Sequence, residues 1–215
     1  MTNYAGKRIV VGITGASGSI YGVRLTEVLL SMGFEVHLVV SNAGWRVLKE
    51  ELDWNVTDRE GILNDKFGDR PGSLVYHPVT DIGATIASGS YLAEGMIIMP
   101  CSMGTLSAVA HGASDNLMAR AADVMLKEGR PLVLVPRETP LHAIHLENML
   151  KLAQLGVKII PAMPAFYFKP RSLEDIVLFL VGKVLDSLRI EHHLFTRWGD
   201  TNGNGDQPHH TGGQN

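Results

Sequence analysis

The stretch RIVVGITGASGSIYG, residues 8–22, decides the fold of this chain. It opens with a β-branched run that predicts a buried strand, and this run ends in a turn of glycine and serine. Apolar residues then recur at helical spacing from Ile20 to Met32, and Gly33 ends the helix as a C-cap glycine does. A second apolar run over 34–40 predicts the next strand. The stretch therefore begins a βαβ unit of a parallel sheet.

Strands and helices are predicted to alternate along the rest of the chain. Further strands are expected at 74–76, 95–99, 131–135 and 157–160, and helices at 41–52, 114–128, 141–155 and 172–189. Apolar strands in such alternation indicate an α/β fold, a three-layer, doubly wound parallel sheet of the Rossmann-like or flavodoxin-like kind, in one domain over 1–198. The polar stretch 53–72 is predicted to be a surface excursion. The tail 199–215 has nothing apolar to bury and is predicted to be disordered.

Composition excludes several classes of protein. The 215 residues are 45% hydrophobic, which is enough for a full core, and the formal charge is -3 with scattered basic residues. That charge pattern offers no footprint for nucleic acid. No apolar run is long enough to cross a bilayer. Cys101 is the only cysteine and the first residues do not resemble a signal peptide, so we expect a cytoplasmic protein with no intramolecular disulfide.

Three short turns follow predicted strands directly: Gly15-Ala16-Ser17-Gly18, Ser102-Met103-Gly104-Thr105 and Arg137-Glu138-Thr139. In an open α/β sheet a ligand binds outside the carboxyl ends of the strands, so the three turns are expected to converge on one pocket. The first turn presents amides at a helix N-terminus, where the helix dipole favours a phosphate. The third is held between prolines, which suits an anion-binding or proton-transfer group. We therefore predict a site for a phosphorylated ligand.

Other interpretations of these residues stay open or are disfavoured by the sequence. The glycines of the first turn could serve only close packing, and Ser102 could be an ordinary N-cap. An NAD site is disfavoured because Ser41, not an acidic residue, ends the second strand, and no tyrosine is followed four residues later by lysine. His142, His145 and Glu147 do not match a zinc signature, so we expect no metal. Cys101 is expected to be a small buried residue and not a nucleophile.

Five motifs in register resemble the flavin prenyltransferases of the UbiX type. They are GITGASGSIYG (12–22), PCSMGTLS (100–107), LVPRETPL (134–141), IHLENM (144–149) and PAFY (164–167), and the similarity extends to about Trp198. The resemblance implies a homo-dodecamer that transfers a dimethylallyl group from dimethylallyl phosphate to reduced FMN without a metal. The implied product, prenylated FMN, is the cofactor of UbiD-type decarboxylases.

The resemblance also implies roles for single residues. FMN would be held by Gly15, Ala16, Ser17, Ser41, Ser102, Met103, Gly104, Thr105 and Arg137. Tyr167 and Lys183 would hold the dimethylallyl phosphate; some family members have arginine in place of Lys183, and lysine lacks its bidentate fork. Glu138, or the released phosphate, is the natural base for the proton lost at flavin C6, and Lys127, Arg120 and Glu51 are further catalytic candidates. Lysine and arginine can stabilise the leaving phosphate electrostatically.

Two alternative functions share the expected FMN site. One is a decarboxylase of the phosphopantothenoylcysteine type, but its Pro-x-Met-Asn stretch is not found, since Pro161-Ala162-Met163-Pro164 lacks the amide side chain. The other is a non-catalytic flavin carrier, which would bind FMN without consuming an allylic phosphate.

Overall fold

A computed structural model describes residues 4–197, so Trp198 and the predicted tail 199–215 lie outside the described residues. The strands are β1 (Arg8–Ile13), β2 (Glu35–Val40), β3 (Ser73–Pro78), β4 (Met96–Cys101), β5 (Leu132–Pro136) and β6 (Lys158–Ile159). The helices are α1 (Ser19–Ser31), α2 (Asn42–Leu52), α3 (Arg59–Phe67), α4 (Met103–Ala110), α5 (Leu117–Lys127), α6 (Ala143–Gln154) and α7 (Leu173–Ser187), with a 3-10 turn at Thr85–Ala87.

The strands form one parallel sheet in the order β3-β2-β1-β4-β5-β6. This is the strand order of the Rossmann type, in which the chain reverses direction across the sheet between β1 and β4. Helices α1, α2 and α7 pack on one face, and α4, α5 and α6 pack on the other. The predicted three-layer, doubly wound α/β fold is confirmed. The reversal point places a crevice at the carboxyl ends of β1 and β4.

Alternate residues of β1 supply the two layers of the core. Ile9, Val11 and Ile13 face the layer of α1 and α7, whereas Val10 faces the layer of α4 and α5. All four side chains are fully or almost fully buried. A strand buried on both faces must be apolar throughout, which is why it appears in the sequence as a continuous run.

Two segments differ from the prediction. The stretch 53–72 is not a bare surface excursion, because it contains α3 and buries Trp54, Leu63 and Phe67. The ring of Trp54 lies 6.1 Å from that of Phe67, and the three side chains extend the core under an otherwise polar segment. The turn after β4 continues directly as α4, whose eight residues begin at Met103.

Candidate functional site

Sheet register brings the predicted flavin loops together. Ile13 pairs with Val40, and Cys101 at the end of β4 pairs with Pro136 at the end of β5. The loops that follow these strands are therefore neighbours at the carboxyl edge. This edge gathers the predicted FMN residues Gly15, Ala16, Ser17, Ser41, Ser102, Met103, Gly104, Thr105 and Arg137.

Thr14 joins the first two of these loops. Its hydroxyl donates to the carbonyl of Pro100 at 2.7 Å and accepts from the amide of Ser102 at 2.8 Å, while the side chain is almost fully buried. One threonine thus satisfies two buried backbone groups across the reversal point between β1 and β4. Sequence reasoning missed this residue; the available signal was a single hydroxyl at the end of an apolar strand.

The glycines of the first turn have separate physical reasons. A Cβ added to Gly15 would lie 2.5 Å from the Cβ of Ala43, so only glycine lets the turn approach α2 this closely. Gly18 has a φ of 98°, a left-handed conformation that glycine adopts without strain. Close packing, one of the two interpretations of the sequence, therefore accounts for Gly15, and it also sets the wall of the crevice.

Glu51 belongs to α2, and its carboxylate lies at the N-terminus of α1. Its carboxylate accepts from the amide of Gly18 at 3.0 Å, and from the amide and hydroxyl of Ser19 at 2.9 and 2.8 Å. Burial acts to raise the pKa of Glu51, but the hydrogen bonds from Ser17, Ser19 and Gly18 outweigh it, so the pKa is lowered. The chain's own anion thus takes the donors at which the sequence predicted a phosphate.

The serine hydroxyls in the loops after β2 and β4 are helix N-caps. Ser41 accepts from the amide of Gly44 at 2.9 Å, and Ser102 accepts from that of Thr105 at 3.3 Å. A Cβ at Gly104 would meet no atom within 4 Å, so open space adjoins the first turn of α4. Helix N-termini offer amides and a positive dipole end to an anion. The crevice can therefore hold a phosphate or a flavin edge beside α4.

The β5 turn closes the crevice on its other side. Arg137 Nε donates to the carbonyl of Ser17 at 3.2 Å, which ties this turn to the first one. Glu138 is exposed, and its Oε1 accepts from the amide of Thr139 at 3.0 Å. The Arg137 guanidinium is thus fixed to the neighbouring loop, whereas the Glu138 carboxylate is exposed to solvent and can accept a proton.

Lys183 lies on α7, and Tyr167 lies in the loop before that helix. The Tyr167 ring is half exposed and meets Phe179 edge-on at 5.9 Å. Lys183 is exposed one helical turn beyond Phe179, on the same face of the helix. Phe179 thus lies beside the Tyr167 ring and one helical turn from Lys183.

The two predicted cations of α5 are separated. Arg120 lies in the first turn and pairs with Asp123 at 3.5 Å. Because α5 runs back toward the amino edge of the sheet, Lys127 lies roughly 10 Å farther along its axis. The Lys127 ammonium is 3.1 Å from Glu128 Oε1 and lies against Gly89. Within one chain the structure does not bring Lys127 to the flavin loops.

Two other sequence features carry no site of their own. The rings of His142 and His145 stack with centroids 3.5 Å apart, yet nowhere in residues 4–197 do three or more His, Cys, Asp or Glu side chains gather as metal ligands would. Cys101 is fully buried, and burial raises its pKa to about 12. A groove of about 550 Å³ lies between α1 and α7 and includes none of the predicted site residues.

Comparisons of sequence and structure relate this chain to known proteins. The Flavoprotein family profile matches residues 1–185. The chain is 61% identical, over 90% of its length and 97% of the relative's, to the flavin prenyltransferase UbiX of Alkalihalophilus pseudofirmus. AnUbiX (PadA1), solved with FMN and dimethylallyl pyrophosphate, superposes with a TM-score of 0.81 at 41% identity over 94% of this chain and 99% of that one. A dodecameric FMN-dependent UbiX-like decarboxylase from Escherichia coli O157:H7 gives 0.80 at 44% identity over 89% and 98%.

Sequence, fold and the crevice at the carboxyl edge lead to one assignment: this chain belongs to the UbiX-type flavin prenyltransferase family.

Proposed function

We propose that this protein is a metal-independent prenyltransferase that joins the dimethylallyl group of dimethylallyl phosphate to N5 and then C6 of reduced FMN, with release of phosphate. The observation that carries the proposal is the convergence of the loops after β1, β2, β4 and β5 on one crevice. Its hydroxyls and amides, together with Arg137, match the polar edge and phosphate of FMN. The residues present therefore fit the flavin.

The residue types also suit the chemistry. Departure of phosphate builds negative charge, which Lys183, Arg120 and Lys127 would stabilise electrostatically. Tyr167 would shelter the developing allylic cation with its ring face. Glu138, exposed beside the fixed Arg137, would accept the proton that leaves flavin C6. Glu51 would orient the first turn through Gly18 and Ser19.

A homo-oligomer, proposed here as a dodecamer, would complete the site. Lys127 lies toward the edge of the sheet opposite the flavin loops, so a neighbouring copy would have to supply it. Helix α6 presents the apolar side chains Ile144, Leu146 and Leu150, each more than half exposed. Several exposed apolar side chains on one helix mark an interaction surface, and a second copy of the chain is the partner that the dodecameric relative points to.

The product and location complete the proposal. Prenylated FMN would pass to a UbiD-type decarboxylase, and both steps are proposed to take place in the cytoplasm. Among residues 4–197, no helix has the length and apolar character needed to cross a membrane.

The test is anaerobic incubation with reduced FMN and dimethylallyl monophosphate, followed by mass spectrometry of the extracted flavin. The expected result is a flavin heavier by one five-carbon prenyl unit, together with free phosphate and no added metal. An unchanged flavin with both the monophosphate and the diphosphate would contradict the proposal. Bound FMN in that case would favour the carrier.

A second candidate is an FMN-dependent decarboxylase, because the E. coli relative of known structure is described as one. Carbon dioxide released from a phosphopantothenoylcysteine substrate, measured in the same preparation, would support it. We expect none, because the Pro161-Ala162-Met163-Pro164 stretch lacks an amide side chain.

A further inference from the structure

Tyr91, which lies outside the flavin loops, is held at its hydroxyl, its ring and its carbonyl. Its hydroxyl donates to Glu35 Oε1 at 3.1 Å and lies 2.6 Å from His37 Nε2. The Arg8 guanidinium lies over its ring at 5.0 Å from the centroid. Its carbonyl accepts from Arg130 Nη1 at 2.5 Å. None of these partners of Tyr91 belongs to the flavin loops.

The anchor behind the Tyr91 hydroxyl is a polar network on three strands, buried at its two histidines. Glu35 Oε1 also accepts from Arg8 Nε at 3.1 Å, and His37 Nδ1 lies 2.8 Å from His77 Nε2. Both histidines are buried, and a buried network with its members satisfied is rigid. Burial raises the pKa of Tyr91 to about 12, so its hydroxyl remains a donor. The hydroxyl is therefore tied to the sheet itself.

Arg130 connects Tyr91 to the turn that precedes it, Ser88–Gly89–Ser90. Its two terminal nitrogens donate to the carbonyls of Tyr91 and Gly89, the second at 2.6 Å. Within the turn, the hydroxyls of Ser88 and Ser90 lie 2.9 Å apart, and the amide of Tyr91 donates to the carbonyl of Ser88. A planar guanidinium that binds two carbonyls fixes their orientation as well as their position. The backbone from Ser88 to Tyr91 is thereby held against the amino edge of the sheet.

Lys127 rests on this turn. A Cβ built on Gly89 would be 2.1 Å from Glu128 Oε1 and 3.1 Å from Lys127 Nζ, so the two charged groups occupy the space that a side chain would need. Lys127 and Glu128 also pair with each other at 3.1 Å. Any movement of the Gly89 backbone would therefore change where the ammonium can lie.

We propose that Tyr91 is a positioning residue for Lys127. It holds the turn Ser88–Gly89–Ser90 through its own backbone and through Arg130, and the turn confines the Lys127 ammonium. The inference rests on the proposed function, in which Lys127 acts on the phosphate of the prenyl donor. It adds a residue more than 30 positions away from Lys127 in the sequence and on a different element.

The test replaces one hydroxyl. Tyr91→Phe keeps the ring and its contact with Arg8 but loses the bonds to Glu35 and His37. We expect the KM for dimethylallyl phosphate to rise about tenfold while the Kd for FMN stays within about twofold of wild type. The matched control is Tyr76→Phe, which removes a hydroxyl that accepts from Trp45 Nε1 at 3.2 Å, and it should leave both constants unchanged. A lowered melting temperature with an unchanged KM would overturn the inference.

A double-mutant cycle separates positioning from a direct role. If Tyr91 acts through Lys127, Tyr91→Phe should have no further effect on KM in the Lys127→Ala background. Additive effects would contradict the inference. Should Tyr91→Phe fail to fold, Arg130→Lys, which keeps the charge and loses the two-carbonyl bond, takes its place in the same cycle.

A readout without turnover distinguishes this inference from the proposed function. The acetylation rate of the Lys127 amine, followed by peptide mass spectrometry, should increase by about twofold or more in Tyr91→Phe and remain unchanged in Tyr76→Phe. If the wild type forms no prenylated flavin, the proposed function fails, and this rate still decides whether Tyr91 confines Lys127. Equal rates in all three proteins would refute the positioning role.

Discussion

Glu51 Oε2 accepts two hydrogen bonds from one residue, Ser19: one from its amide at 2.9 Å and one from its hydroxyl at 2.8 Å. Ser19 is the first residue of α1 and Glu51 lies in the last turn of α2. The hydrogen bonds of one carboxylate therefore connect the two helices. A negative charge at the start of a helix also stabilises its dipole. With Arg137 bonded to Ser17 from the opposite side, the first flavin turn is held on both flanks.

Glu51→Gln should destabilise the protein at neutral pH. The amide keeps one acceptor but loses the charge at the N-terminus of α1, and because Glu51 is an exposed residue we expect a loss of only about 1 kcal/mol in the free energy of unfolding. Urea unfolding at pH 7 measures it. Glu50→Gln is the control, because Glu50 is exposed and paired with an exposed Arg46, and it should cost under about 0.5 kcal/mol.

The stability difference between wild type and Glu51→Gln should depend on pH. The folded-state pKa of Glu51 is lowered, so its contribution is present above its ordinary value of 4.5 and is lost as the pH falls through the folded value. The stability gap between wild type and Glu51→Gln should therefore narrow in acid. A gap that is equal at pH 7 and in acid would show that the charge is not what stabilises α1.

Thr14→Val should weaken both the fold and the flavin site. The change keeps the shape but leaves the Pro100 carbonyl and the Ser102 amide without the partner they share, at a cost of about 2–3 kcal/mol. Thr26→Val is the matched control. Its buried hydroxyl donates only to a helical carbonyl, that of Gly22, and its loss should cost about 1 kcal/mol or less. Chemical denaturation measures the stability of both variants, and FMN titration measures their flavin affinity. Equal losses of stability and of FMN affinity in the two variants would refute a bridging role for Thr14.

The regular part of this fold could be predicted from sequence because buried parallel strands are apolar on both faces. The convergence of the flavin loops followed from that topology. Helix α3 was missed because Leu63 and Phe67 are its only buried residues. The Glu51 contact joins residues 32 positions apart in sequence, and no local pattern reports it. The resemblance named Lys127 as a catalytic candidate, but the sequence does not report that α5 carries this lysine away from the crevice of its own chain.

Gly104→Ala tests whether the space beside α4 belongs to the ligand. No atom lies within 4 Å of the added methyl, so alanine should stabilise the ligand-free helix by about 0.5–1 kcal/mol. A methyl that meets bound FMN should cost about 1–3 kcal/mol, which is roughly a tenfold or greater rise in Kd. Thermal unfolding and fluorescence titration report the two effects, with Ser107→Ala on the same helix as control. Unchanged FMN affinity would place the flavin elsewhere.

His77 should make stability depend on pH near neutrality. Burial, helped by the charge of His37 and opposed by Asp81, lowers the pKa of His77 below its ordinary 6.5. As the pH falls, the unfolded chain takes up the proton first, so the contribution is complete above 6.5 and declines below it. His77→Gln should therefore flatten the fall in stability between about pH 7 and 5, the range just below this ordinary value. Urea unfolding across this range measures the slope, with the exposed His193→Gln as control; parallel slopes in wild type and His77→Gln would exclude His77 as the source.

Glu138→Gln should retain FMN and stall turnover. Glu138 is exposed at the crevice beside Arg137, and the amide preserves its size while removing the basic carboxylate. Loss of a positioned general base lowers rates by about 100-fold or more, whereas FMN affinity should stay within about twofold of wild type. Mass spectrometry of the flavin over time gives the rate, and the exposed Glu147→Gln on α6 should behave as wild type. Normal turnover in Glu138→Gln would remove this residue from the mechanism and leave the released phosphate as the group that takes the proton.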